Sequence, residues 1–297
     1  MRPDPFVDPF VAHRSLLFTV AYELLGSAAD AEDAVQDTWL RWDGLGPQGR
    51  AQVRDARAYL LRIASRQALN RLRTLARRKE DYVGEWLPEP LLTAPDVAED
   101  AELAESVSLA MLTVLETLTP TERAVFVLRE VFDLAYEEIA EATGKTPAAV
   151  RQLAHRARSH VAARRPRVDV DRTEQQRVIE RFLAAVNGGD MQALMDVLAP
   201  DAVLIADGGG IVEAVRVPVM GAKKIVNLLR GIAKFVPGAA LEPALVNGAP
   251  GAHVHLDGRL DTVVAFDVAD GWITRVFLVR NPAKLGRITT AVPLVRL

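Results

Sequence analysis

Cysteine is absent from the 297 residues, which excludes disulfides, a thiol nucleophile and cysteine-ligated zinc or iron–sulfur centres. No apolar run approaches the roughly 18 residues that would suggest a membrane span. Met1-Arg2-Pro3-Asp4-Pro5 carries an acid and prolines where a secretory leader has an apolar stretch, so the expectation is a cytoplasmic chain with no membrane contact. Tyrosine does not occur after Tyr136. A large excess of either charge is missing too: the formal net charge is −3, an average that disfavours nucleic acid as a partner only if it holds locally. What is present is 49% hydrophobic and 25% charged residues, the balance of folded globular domains rather than disordered or coiled-coil chains, with length enough for two or three modules.

The charge is not spread evenly. Arg50 to Lys79 holds ten Arg or Lys and one acid, Asp55. Glu80 to Glu105 holds nine acids and no base, interrupted by Pro88, Pro90 and Pro95, and reads as an acidic linker over 81–105. Lys145 to Arg167 holds seven Arg or Lys and no acid. These alternations divide the chain into modules at 6–80, 106–165 and 173–297.

In the first module Ser27 and Asp30 predict the start of a helix running to about Trp42, with Ala31, Val35, Thr38 and Trp42 facing a core. Asp30, Glu32, Asp33, Gln36, Asp37 and Leu40 then lie on the other faces as an acidic stripe, which taken alone reads as solvated surface. A second helix, Arg57 to Lys79, buries Leu60, Ile63, Ala64, Ala68, Leu72 and Leu75. Arg62, Arg66, Asn70, Arg73 and Arg77 align opposite them, four guanidiniums and one base-reading amide, a composition suited to a nucleic-acid backbone. Tyr59, Trp39 and Trp42 could stack on bases or fill a core.

In the second module Thr119-Pro120-Thr121-Glu122 predicts a capped helix start. Tyr136 to Thr143 forms a short helix closed by Gly144, and Thr146-Pro147 opens another, the spacing of a helix-turn-helix. In the last helix Val150, Leu153, Ala157 and Val161 are assigned inward. Arg151, Gln152, His155, Arg156 and Arg158 are assigned outward, where they could meet base edges and phosphates.

Asp30-Ala31-Glu32-Asp33-Ala34-Val35-Gln36-Asp37-Thr38-Trp39-Leu40-Arg41, the basic helix and the terminal helix-turn-helix, in that order, resemble a group IV, or extracytoplasmic-function, sigma factor over about residues 6 to 165. The resemblance implies RNA polymerase core as partner, with the acidic stripe on the clamp helices of the β′ subunit and further contact to the β subunit. It implies promoter DNA as second partner: the Arg62-to-Arg77 stripe at the minus-10 element and the helix after Pro147 at the minus-35 element. Asn70 stands where many relatives carry Asp, and Ala135 where many carry a capping Ser or Thr; the latter change costs about 1 kcal/mol of helix stability.

The third module is expected to begin with a helix capped at Thr173, then a helix over 191–198, strands at 202–206 and 211–216, a helix over 222–235, and strands near 244, 253–256, 262–268 and 272–279. The predicted fold class is thus two all-α sigma domains, the second a helix-turn-helix, followed by an α+β domain that resembles the SnoaL-like, or NTF2-like, cone. Such cones enclose pockets, which leaves an unidentified small-molecule ligand open. Asp207, His253 and His255 could form an acid-base site, but the module has no tyrosine as oxyanion donor. The two histidines lack an evident third metal ligand, and no metal or cofactor is expected.

Trp86-Leu87-Pro88-Glu89-Pro90-Leu91, Asp207-Gly208-Gly209-Gly210 and Asn281-Pro282-Ala283-Lys284-Leu285 together resemble the sigma-factor subgroup with a fused SnoaL-like domain. That resemblance implies that the fused domain modulates activity in place of a separate anti-sigma factor, and that one chain, a monomer when free, serves one polymerase. Two rivals stay open: a polymerase-independent DNA-binding regulator, and an isomerase or hydrolase tethered to a DNA-binding part.

Overall fold

The computed structural model describes residues 8–79, 82–164, 171–236, 239–286, 288 and 290–296, without the side chains of 76–79. Caps set the first helices. Asp8 accepts from Phe10 N (2.8 Å) at the start of α1 (Pro9–Leu25), and Ser27 Oγ accepts from Asp30 N (3.2 Å) at the start of α2 (Ala28–Asp43). α3 (Gly46–Gln52) and α4 (Ala56–Lys79) follow. The acidic segment is not helix-free: α5 (Pro95–Glu99) begins with Pro95 in its first turn, where a missing N–H costs nothing, and Asp100 caps α6 (Ala101–Val107). After α7 (Leu109–Leu115), the Thr119–Glu122 capping box opens α8 (Pro120–Phe126), which continues as a π-turn over Val127–Val131. α9 (Tyr136–Thr143) ends at Gly144 in the left-handed region, and α10 (Pro147–Arg164) begins directly after Thr146.

The remainder runs α11 (Arg172–Gly188), α12 (Met191–Met195), β1 (Leu198–Asp207), β2 (Val219–Met220), α13 (Ala222–Phe235), β3 (Leu241–Val246), β4 (Ala249–Leu256), β5 (Arg259–Ala269), β6 (Trp272–Val279) and α14 (Pro282–Leu285). α11 is capped by Asp171, which accepts from Thr173 N at 2.9 Å, rather than by Thr173 as expected. The expected strand at 211–216 does not form. Ile211 N and Val212 N instead bond back to Gly208 O in a turn, which withdraws them from any ladder, and of the chain between β1 and α13 it is Val219–Met220 that pairs with β1. In α10 Ala154 is buried and Leu153 is not fully so, a one-residue correction to the predicted inner face.

The chain forms two compact units. One comprises residues 1–80, 114–166 and 293–297; the other comprises 81–113 and 167–292. In the first, α1, α2 and α4 pack together, and α4 also packs on α8 and α9. In the second, the sheet has the order β2-β1-β6-β5-β4-β3, with β1 and β6 parallel and every other pairing antiparallel. One sheet face meets the helices through Ile179, Phe182, Leu204, Phe266 and Val276. The opposite face offers Val263, Ala265, Phe277 and Val279, which pack with Leu87 of the acidic segment, Leu109 and Ala110 of α7 and Leu285 of α14. An antiparallel sheet can leave one face to water; here these segments cover it. This unit has the α+β form expected.

Candidate functional site

Asp207, at the end of β1, has no exposed surface. Its Oδ1 accepts from the Tyr82 hydroxyl (2.5 Å) and Gly209 N (3.0 Å), and its Oδ2 from Leu87 N (2.9 Å) and Lys284 Nζ (2.6 Å). Lys284 Nζ also donates to Leu87 O (2.5 Å) and lies 3.4 Å from the centre of the Trp86 ring. Asn281 caps α14 through Ala283 N and donates to the Tyr82 hydroxyl at 2.7 Å. Burial first, then the hydrogen bond and charge of Asp207, raise the Tyr82 pKa, so the phenol stays protonated and donates. A buried carboxylate and ammonium are tolerable because each has its bonding directions filled.

This cluster joins Trp86 and Leu87 to the Asp207 loop and the 281–285 segment. Pro88, Glu89 and Pro90 are buried beside them. The glycines are required by close approach: a Cβ at Gly209 (φ +64°) would lie 2.4 Å from Asn281 Nδ2, and one at Gly210 (φ +68°) would lie 2.9 Å from Val83 Cβ. Gly208 is equally confined, with Val212 O at 2.5 Å from its would-be Cβ. Pro282 opens α14, and Leu285 packs under the sheet. Two participants were invisible to sequence reasoning. Tyr82 supplies the phenol that the third module lacks. Buried Asn247, in the β3–β4 turn, accepts from Leu91 N at 2.9 Å and donates through Nδ2 to Val107 O at 2.8 Å. The Asn247-Gly248 dipeptide is a hairpin-turn signal, but nothing local marks it as a grip on residues 91 and 107.

The acid-base reading of Asp207 fails on this geometry, because all four of its acceptances are to protein donors and no exposed edge is left to take a substrate proton. His253 and His255 lie on β4, away from Asp207's strand, and the structure brings Glu242 of β3 to both. The third neighbour that the sequence did not reveal is therefore present.

The acidic stripe lies on α2. Asp33, Gln36, Asp37 and Leu40 are exposed, Asp30 and Glu32 partly so. Arg71 of α4 ties Asp30 (2.5 Å) and Asp33 (2.6 Å), and Arg14 ties Glu32 (2.6 Å). Leu40 is 59% exposed, an apolar side chain left in water beside carboxylates. Trp42 is buried, with Nε1 donating to Asp8, while Trp39 packs on Phe10 with ring centres 5.0 Å apart.

On α4, Arg62, Arg66, Asn70 and Arg73 are exposed along one side, and the Arg77 side chain lies outside the described residues. Arg62 pairs with Glu141 of α9 at 2.7 Å and sits over the Tyr59 ring. On α10, Arg151, Gln152, His155, Arg156 and Arg158 are all exposed. Thr121, Lys145, Arg151, Gln152, His155 and Arg156 line an open depression of about 740 Å³. The acids missing from α10 come from its neighbours: Glu122 stands 3.6 Å from Arg156, Glu130 3.7 Å from Arg158 and Glu137 4.0 Å from Arg151. Pairs this long and exposed contribute about 0–1 kcal/mol each, so phosphates can displace them. Ala135 cannot cap α9 with a side chain, but Glu138 Oε2 accepts from Ala135 N at 2.9 Å and supplies half of a capping box.

Known proteins share this arrangement. Residues 10–78 match the family description Sigma-70 region 2, and residues 108–161 match Sigma-70, region 4. ECF RNA polymerase sigma factor SigJ of Mycobacterium tuberculosis is 37% identical over 292 residues, covering 94% of this chain and 92% of that protein. The chain belongs to the extracytoplasmic-function RNA polymerase sigma factors. A probable ECF RNA polymerase sigma factor, SigI of the same species, is 31% identical and covers 95% of both chains. The crystal structure of M. tuberculosis SigJ aligns with a TM-score of 0.76 at 35% identity, over 94% of this chain and 98% of that one. The sigma factor is thus a transcription initiation factor, a partner of RNA polymerase core and promoter DNA rather than an enzyme. No helix among its described residues is long and apolar enough to cross a membrane.

Proposed function

We propose that this sigma factor directs polymerase to promoters with minus-10 and minus-35 elements, and that its own C-terminal domain governs the process by holding the segment between regions 2 and 4. The observation that carries the second half is the Asp207–Lys284 pair closed over the backbone of Leu87. A segment fixed in this way limits where the two promoter-binding regions can go. The α2 stripe docks on the β′ clamp helices through Asp33, Gln36, Asp37 and Leu40. The exposed side of α4 meets the minus-10 element, and α10 reads the minus-35 element in the major groove.

The first unit also bears on this reading. Arg62 of the minus-10 stripe touches α9 of the helix-turn-helix. By their positions the two promoter elements lie about 25 base pairs apart, or roughly 85 Å of duplex. α4, α9 and α10 would reach no more than about 75 Å even laid end to end. Engaging both elements at once requires regions 2 and 4 to separate.

Two substitutions test the assignments in the full-length chain. Asp33→Arg adds a cation beside Arg71 and is expected to weaken binding to core polymerase at least tenfold, read by fluorescence anisotropy; wild-type affinity would remove the clamp assignment. Arg151→Ala is expected to lose about 1–3 kcal/mol of minus-35 discrimination if its contact is bidentate to guanine. Competition between cognate and mutated minus-35 duplexes measures it, and equal losses on both would reduce Arg151 to a phosphate contact.

A further inference from the structure

We infer that Glu242, His253 and His255 form a binding site for a divalent transition-metal ion of borderline softness, with Zn²⁺ its natural probe. The register of the β3–β4 hairpin places Glu242 directly opposite His253. Strand alternation puts His255 on the same face as His253, two residues along. The register irregularity opposite Val254 and His255 skips Asp261 on β5 and leaves the alternation along β4 unbroken. One ligand atom from each of the three residues lies within 4.8 Å of the others.

The distances suit coordination better than they suit a single ion pair. Glu242 Oε2 stands 3.0 Å from His253 Nε2 and 3.6 Å from His255 Nδ1. Zinc bonds of about 2.0–2.1 Å in a tetrahedron separate neighbouring ligand atoms by roughly 3.3 Å, and the two observed separations bracket that value. One carboxylate oxygen can accept a hydrogen bond from each ring, but an ion at the centre would bind all three ligand atoms together. The side chains are 58%, 21% and 39% exposed for Glu242, His253 and His255. Water can therefore reach the fourth position, and an ion can enter without the fold opening. Two imidazoles and one carboxylate form a donor set that favours zinc, nickel, copper or iron over magnesium or calcium, which prefer all-oxygen shells.

The position gives the site a structural consequence. β3 is the last strand in the sheet order; β4 is its one ladder partner among the described residues, and residues 92–93 add an isolated bridge at its turn end, away from Glu242. An ion held across Glu242 and His253 would cross-link the open end of the hairpin whose turn, through Asn247, holds Leu91.

The experiment uses full-length protein stripped of metal, titrated with Zn²⁺ by calorimetry and with Co²⁺ by visible absorption. One ion per chain is expected, with intense Co²⁺ bands of a tetrahedral site. His253→Gln and Glu242→Gln should each weaken Zn²⁺ binding at least tenfold. Bound Zn²⁺ should also slow amide exchange along β3 in the wild type and leave it unchanged in Glu242→Gln. His13→Gln should bind as wild type does. Absence of a one-to-one site, unaltered binding in both hairpin variants, or loss of binding on His155→Gln instead would overturn the assignment. Far-UV circular dichroism identifies a variant that has lost its fold, and His255→Gln then serves in its place.

Discussion

Replacing Lys284 with methionine is expected to release the acidic segment from the sheet. Methionine matches the length and apolar stem of lysine, so it leaves packing against Trp86 largely intact and removes only the ammonium. What remains is Asp207, without exposed surface and short of its one cationic partner among the described residues, and Leu87 O without the Nζ donor. Removing one member of a buried pair costs about 3–5 kcal/mol, because the surviving charge stays desolvated and unmatched. The Leu87 amide, which donates to Asp207, should exchange with solvent about a hundred- to a thousandfold faster in the full-length variant. Exchange within threefold of wild type would mean that Leu87 is held by apolar burial alone. If the proposed control is correct, run-off transcription by core polymerase with this variant should depart from wild type in the direction that release of the segment dictates.

The parts of the fold that were legible in the sequence are those determined within one turn of chain. Ser27, Thr119 with Glu122, Gly144 and Thr146 each bond to a neighbour three or four residues away, and each marked a helix end correctly. The strand at 211–216 was misread because the β-branched Ile211, Val212 and Val215 favour a strand in the sequence whether or not a partner strand is available. Ile211 and Val217 are 65% and 69% exposed, and the turn at Gly208 to Gly210 carries the chain away from β1. The basic faces of α4 and α10 could be read because charge at helical spacing needs no partner to be visible. Arg71, Tyr82, Glu242 and Asn247 could not, because each acquires its role from residues 11 to 199 positions away. The three-motif resemblance named segments that the structure brings together around Asp207. It did not reveal that their chemistry is a buried ion pair capped by a phenol and an indole.

Arg123 carries the second large expected effect, in the first unit. It is 1% exposed, and its guanidinium donates to Glu23 O from Nε (3.1 Å) and Nη2 (2.9 Å) and to Glu116 Oε1 from Nη1 (2.7 Å). Glu23 lies in the last turn of α1, where the carbonyls have no intrahelical donor and the helix dipole favours a cation. A residue of α8, within region 4, therefore completes the end of the first helix of region 2. Arg123→Ala is expected to lower unfolding stability by about 3–5 kcal/mol, seen as a drop in urea midpoint without a change of slope. Arg123→Lys should recover only part of the loss, since one ammonium cannot bridge Glu23 and Glu116 as the planar fork does. A loss below about 1 kcal/mol for the alanine variant would contradict the assignment. Arg62 is expected to behave differently. The Arg62–Glu141 pair is 45% and 62% exposed, a class of contact worth about 0–1 kcal/mol, and it yields readily to phosphate. If the unit opens on a promoter as proposed, the resistance is expected at Arg123 rather than at Arg62, and Arg62→Gln alone should leave the urea midpoint close to wild type.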